Sequence, residues 1–92
     1  MIKTFVHKGL KNFFYKGERK GIDPNHAERL SDILDMLDAA TEIKDMNFPG
    51  SDLHLLQPKK NQINSVSVSG AWRVTFKIKD GNVYIIDYLN YH

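Results

Sequence analysis

The spacing of apolar residues changes once along this chain, at Phe48-Pro49-Gly50, and that change decides what the chain can fold into. Before the break, Ala27, Leu30, Ile33, Leu34 and Leu37 recur at the 3.6-residue period of a helix with one buried face. Glu28, Asp32 and Asp35 occupy its other face. Asp23-Pro24 is the start signal, because the carboxylate accepts from an orphan N–H and proline has none to waste. This helix is predicted to end near Ala39 or Ala40, with a further turn over Thr41 to Asp45. After the break the period drops to two. Val66 and Val68 alternate with serines, and Trp72, Val74, Phe76 and Ile78 alternate with Arg73, Thr75, Lys77 and Lys79. Turns at Ser69-Gly70 and Asp80-Gly81 separate these runs from each other and from a third strand, Val83 to Tyr88, which makes an antiparallel meander. A two-residue Asp80-Gly81 loop pairs Lys79 with Asn82. Counting back sets Thr75 opposite Ile86 and Arg73 opposite Tyr88.

The N-terminal part is less regular. Ile2 to Val6 reads as a short strand, and Lys8 to Tyr15 as a short helix carrying Leu10, Phe13 and Phe14. Gly17 and Gly21 bracket a basic loop, Glu18-Arg19-Lys20. The predicted order is therefore β-α-α-β-β-β, an α+β domain whose helices cover one face of an antiparallel sheet. Trp72, Val74, Phe76 and Ile78 point into the core, and Arg73, Thr75 and Lys77 point out. With 92 residues, the expectation is a single domain, 1–92. At 41% hydrophobic and 26% charged, the composition is that of a folded globule and not of a disordered segment.

Composition also removes whole classes of function. There is no cysteine, so disulfides, thiolate zinc sites and thiol nucleophiles are excluded, and a cytoplasmic location is expected. No apolar run approaches the length of a membrane helix, and lysines stand where a signal peptide needs its apolar stretch. No His, Asp or Glu pair has zincin spacing, so no metal and no cofactor are expected. The net charge of +2 hides a segregated distribution: residues 1–22 carry +5, residues 23–52 carry −6 and residues 53–92 carry +3. Two basic segments around an acidic one suit a molecule with a cationic face for a polyanion, although acids on one solvated helix face would give the same count.

Four positions stand out by residue type. His54 sits among leucines after the Pro-Gly break, where either packing or proton transfer would account for it. Arg73 alternates with the core stripe, which makes it a solvated strand residue or a phosphate ligand. Tyr91 and His92 form either a frayed tail, as terminal residues usually do, or an extension of the last strand, Val83 to Tyr88, which would carry them onto the sheet.

Several segments taken together resemble a known family. These are Met1-Ile2-Lys3-Thr4-Phe5 with His7-Lys8-Gly9-Leu10-Lys11, then Leu37-Asp38-Ala39-Ala40-Thr41-Glu42-Ile43, Leu53-His54, Ala71-Trp72-Arg73-Val74-Thr75-Phe76 and Tyr91-His92. The pattern is similar to HigB, the RelE-superfamily toxin of host-inhibition-of-growth toxin–antitoxin modules, also known as plasmid-maintenance killer protein. The resemblance implies a microbial-ribonuclease-like fold and a metal-independent endoribonuclease that cuts mRNA in the ribosomal A site. By similarity His54, Tyr91 and His92 are catalytic and Arg73 contacts the scissile phosphate. Asn90 stands where relatives often have Asp, so a hydrogen-bonding group remains there without its charge. Leu55-Leu56-Gln57-Pro58 replaces a common Pro-Leu-Lys-Gly run, and Lys59 or Lys60 would supply the missing cation.

Cleavage by the substrate's own 2′-hydroxyl needs a base, an acid and charge stabilisation at phosphorus, which two histidines, a tyrosine and an arginine supply. Lys8, Lys11, Lys59, Lys60 and Lys77 are candidate RNA contacts, including contacts to ribosomal RNA. The partners implied are mRNA on the ribosome, a helix-turn-helix antitoxin of the HigA type and, only through it, operator DNA; no membrane is involved. The competing readings are a non-catalytic RNA- or ribosome-binding module descended from such a toxin, and a corepressor acting through its partner.

Overall fold

A computed structural model describes residues 1–91. The predicted helices form as α1, Lys8–Lys16, and α2, Ala27–Ala39, and the sheet has four antiparallel strands in sequence order: β1, His54–Leu55; β2, Asn64–Ser69; β3, Trp72–Lys79; and β4, Asn82–Asn90. The fold is α+β, with both helices on one sheet face. His7 caps α1, its Nδ1 accepting from the Leu10 N–H at 2.9 Å, and Gly17 closes the helix at φ 72°. Asp23 accepts from the Asn25 N–H at 2.9 Å and opens a 3-10 turn, Pro24–His26, that runs into α2. Thr41 to Asp45 is tied by Asp45 Oδ2, which accepts from the Thr41 and Glu42 N–H groups at 3.0 and 3.2 Å. These two bonds hold the Asp45 carboxyl below its ordinary value.

Leu30, Ile33, Leu34 and Leu37 of α2, with Leu10 of α1, pack on Val66, Val74, Phe76, Val83 and Ile86 of the sheet, and every one of these side chains is fully buried. Each contributes about 1.5–3 kcal/mol relative to exposure, and this layer is where the fold's stability lies. The loop after α1 is held by contact between two glycines. A Cβ on Gly21 would stand 2.5 Å from Gly9 Cα, so only hydrogen fits at this crossing of α1 and the basic loop.

Three expectations are corrected. Ile2 to Val6 does not form a regular strand: it touches β4 in parallel through two isolated bridges, Ile2 with Val83 and Phe5 with Ile86. The additional strand comes from His54–Leu55. The register between β3 and β4 begins as predicted, Lys79 opposite Asn82 across a turn with Asp80 and Gly81 both at positive φ, but it shifts by one at a β-bulge. Tyr84 faces Lys77 and Asp87 faces Thr75, so two residues, Ile85 and Ile86, oppose Phe76 alone. Ile85 takes φ 51° there and is pushed outward. The bulge lets Val83, Ile86 and Tyr88 all reach the core, whereas uninterrupted alternation from Val83 would turn Ile85 and Asp87 inward in place of Ile86 and Tyr88. Arg73 consequently faces Leu89, not Tyr88. Finally, Thr75 points away from the helices yet is buried, as is its neighbour Ser65, so this face of the sheet is not simply solvated.

Candidate active site

The open sheet face carries one row across all four strands, His54, Ser65, Thr75 and Asp87, and beside it a second, Ser67, Arg73 and Leu89. His54 reaches this face because β1 pairs with β2 in the register His54 to Ser65. Its side chain is 62% exposed, so the leucines around it in sequence do not enclose it. Arg73, only 15% exposed, lies back along the sheet over Ser65. Its Nε donates to Ser65 Oγ at 2.7 Å, Nη2 to the carbonyls of Asp52 and Ser65, and Nη1 to Asp52 Oδ2 at 3.2 Å.

Asp52 connects the two. Its carbonyl oxygen also lies 2.8 Å from His54 Nδ1, and its Oδ1 is 3.4 Å from the same nitrogen. The loop that presents Asp52 is pinned from the helix side. Arg29 of α2 donates to the carbonyls of Gly50 and Ser67 at 3.0 and 3.1 Å, with its guanidinium 5.3 Å from the Phe48 ring centroid. Ser67 N–H donates to the Ser51 carbonyl at 2.8 Å. A helix residue thus sets the position of a loop that serves the opposite face.

The remaining expected residues fall in different places. The Tyr91 N–H donates to the Ala71 carbonyl at 2.8 Å, extending the β3–β4 ladder and setting Tyr91 one pair beyond Arg73 and Leu89 on the open face, half-exposed. Asn90 faces Trp72 and belongs to the other face of β4. His92 lies outside the described residues. Lys77 is half-buried on the open face, and Lys59 and Lys60 occupy an exposed 3-10 turn, Lys59–Asn61, between β1 and β2. Lys8 and Lys11 are remote from this cluster, lining a groove along α1 with Phe5, Val6, Tyr15 and Lys16. Asp52 and Ser65 were missed by sequence reasoning: Asp52 has no periodic context, and Ser65 looks like any other serine of a strand.

The chemistry available is that of an exposed imidazole beside an anchored guanidinium, suited to proton transfer next to a bound anion. Among the described residues no three His, Asp or Glu side chains converge to hold a metal ion, and no helix is long and apolar enough to cross a membrane.

Residues 3–92 match the family model described as RelE-like toxin of type II toxin–antitoxin system HigB. The chain belongs to the HigB-like toxin family. It is 40% identical to Endoribonuclease HigB of Proteus vulgaris over 92 residues, all of both chains. It is also 32% identical over 76 residues to an uncharacterised protein of Haemophilus influenzae, covering 80% of this chain and 75% of that one. Membership in the HigB-like family makes this chain the toxin of a type II module and gives it a cognate antitoxin.

Proposed function

We propose that this toxin is a cytoplasmic, metal-independent endoribonuclease that inhibits translation by cutting mRNA in the ribosomal A site. The observation that carries the reading is the pairing of exposed His54 with anchored Arg73 on an open sheet face, in a chain 40% identical to a protein named as an endoribonuclease. In the reaction a base removes the 2′-hydroxyl proton, O2′ bonds to phosphorus, and the bond to O5′ breaks as that oxygen takes a proton from an acid. The products are a 2′,3′-cyclic phosphate and a 5′-hydroxyl. His54 and His92 divide the acid and base roles, and Arg73 offers its remaining Nη1 N–H to the phosphate charge. Tyr91 positions the substrate from the next pair along that face.

The shallow face provides too few groups to force a free RNA into in-line geometry, and the ribosome presents the strand already positioned. Lys59, Lys60 and Lys77 hold mRNA phosphates, while Lys8 and Lys11, beside exposed Tyr15, contact ribosomal RNA. A helix-turn-helix antitoxin of the HigA type is the partner that silences the toxin and links it to operator DNA.

Induction of the chain without its antitoxin, with transcript 5′ ends mapped, tests this. Growth arrest with cuts inside translated codons is expected, and both disappear in His54→Ala and His92→Ala, each of which removes a contribution of about 10²–10⁴-fold. Harmless expression of the folded chain would overturn it.

A further inference from the structure

We propose that Asp52 is a positioning residue of this site: its main-chain carbonyl fixes His54 in the Nδ1–H tautomer, leaving Nε2 as the proton acceptor, and its carboxylate holds Arg73 beside that ring. The proposal rests on the endoribonuclease reading for its catalytic consequence, but the tautomer stands on geometry alone.

A carbonyl oxygen carries no proton, so at 2.8 Å His54 Nδ1 must be the donor whether the ring is neutral or charged. In the neutral ring Nε2 then holds the lone pair. Among the described residues it makes no hydrogen bond, and the side chain is largely exposed. His7 shows the opposite arrangement: its Nδ1 accepts from the Leu10 N–H, which places the neutral ring's proton on Nε2. Neighbours therefore decide the tautomer at His7 and at His54, and at His54 the deciding neighbour is Asp52.

The same residue fixes the guanidinium. Asp52 receives Nη1 on its carboxylate and Nη2 on its carbonyl, so the cation and the imidazole share one support. Asp52 is held at φ 47°, a conformation that an L side chain adopts at a cost and that persists where the surroundings over-determine it. Here Arg73 and His54 on one side, and the loop bonds of Ser51 and Gly50 on the other, do so. When Nε2 takes the 2′-hydroxyl proton, the ring becomes a cation with Asp52 Oδ1 3.4 Å from Nδ1, and the carboxylate stabilises that charge without moving.

Two variants separate the parts. Asp52→Gly keeps the carbonyl, is at home at positive φ and deletes only the carboxylate; Asp52→Asn keeps the shape and deletes the charge. Long-range proton–nitrogen NMR correlations on the full chain, at a pH where the ring is neutral, are expected to show the proton on His54 Nδ1 in the unmodified chain and in Asp52→Gly. A proton on Nε2 in the unmodified chain would overturn the proposal. With mRNA-programmed ribosomes as substrate, both variants are expected to lower the single-turnover cleavage rate about tenfold or more, with half-saturation changed less than twofold. Unchanged or faster cleavage in both would overturn it, and faster cleavage would mean that the carboxylate competes with phosphate for Arg73. If the unmodified chain cuts no mRNA, the functional reading fails, whereas the NMR result still decides the tautomer.

Discussion

Two histidines lie on opposite sides of the sheet, and their surroundings differ in kind. His26, on the helix side, is 6% exposed; its Nδ1 is 2.6 Å from the Tyr88 hydroxyl, and Trp72 packs edge-on against the His26 ring and at a shallow tilt against the Tyr88 ring. His54, on the open side, is largely exposed, and among the described residues its one ring hydrogen bond is to a loop carbonyl. On the covered face the polar group completes a packed layer, and the surrounding apolar area pays for its burial. On the open face the polar groups are held by one another and by a loop, with no apolar layer over them. Changes on the first face should therefore cost stability, and changes on the second should cost reaction rate.

The largest test of that division is Phe76→Ala. Phe76 is fully buried, and its truncation is expected to cost about 3–5 kcal/mol, a large part of the total for a small domain. Urea denaturation would measure it, and a loss under 1 kcal/mol would break the comparison. Arg73→Lys comes next. Lysine lacks the fork that serves Ser65 and Asp52 together, so cleavage is expected to fall about a hundredfold while stability falls by only about 1–2 kcal/mol. A variant that unfolded without a specific loss of rate would place Arg73 among the structural residues.

Tyr88→Phe is the smallest. Loss of the hydroxyl leaves His26 Nδ1 without its partner, at about 1 kcal/mol, with cleavage per folded molecule unchanged. Burial raises the Tyr88 phenol above its ordinary 10.0, so the fold favours the neutral form. That contribution is complete below pH 10.0 and is lost as pH rises through the raised value, so the phenylalanine variant should show a shallower alkaline decline in stability.

The same division governs what could be read from the sequence. Helix α2 and strand β3 were legible because each buries one face, and burial writes a period into the chain. The Asp80-Gly81 turn was legible because few residue pairs accept two positive φ angles. The bulge was hidden by Ile85-Ile86, since two adjacent apolar residues conceal which one is displaced; the clue was Asp87, which uninterrupted alternation would have buried. His54 and Arg73 could be named from residue type and resemblance. Asp52 could not, because its role depends on a chain reversal that brings residue 73 against residue 52, and nothing local announces it.

The Ile85 bulge has a further consequence outside the chemistry. It bends the outermost strand away from regular geometry at the place where the N-terminal segment lies along it, the Ile85 N–H donating to Thr4 Oγ1 at 2.7 Å and the Ile86 N–H to the Thr4 carbonyl at 3.2 Å. The opposite border of the sheet is only two residues long. Neither border offers a second copy a straight row of vacant donors to extend, which guards the chain against polymerising when it accumulates without a partner.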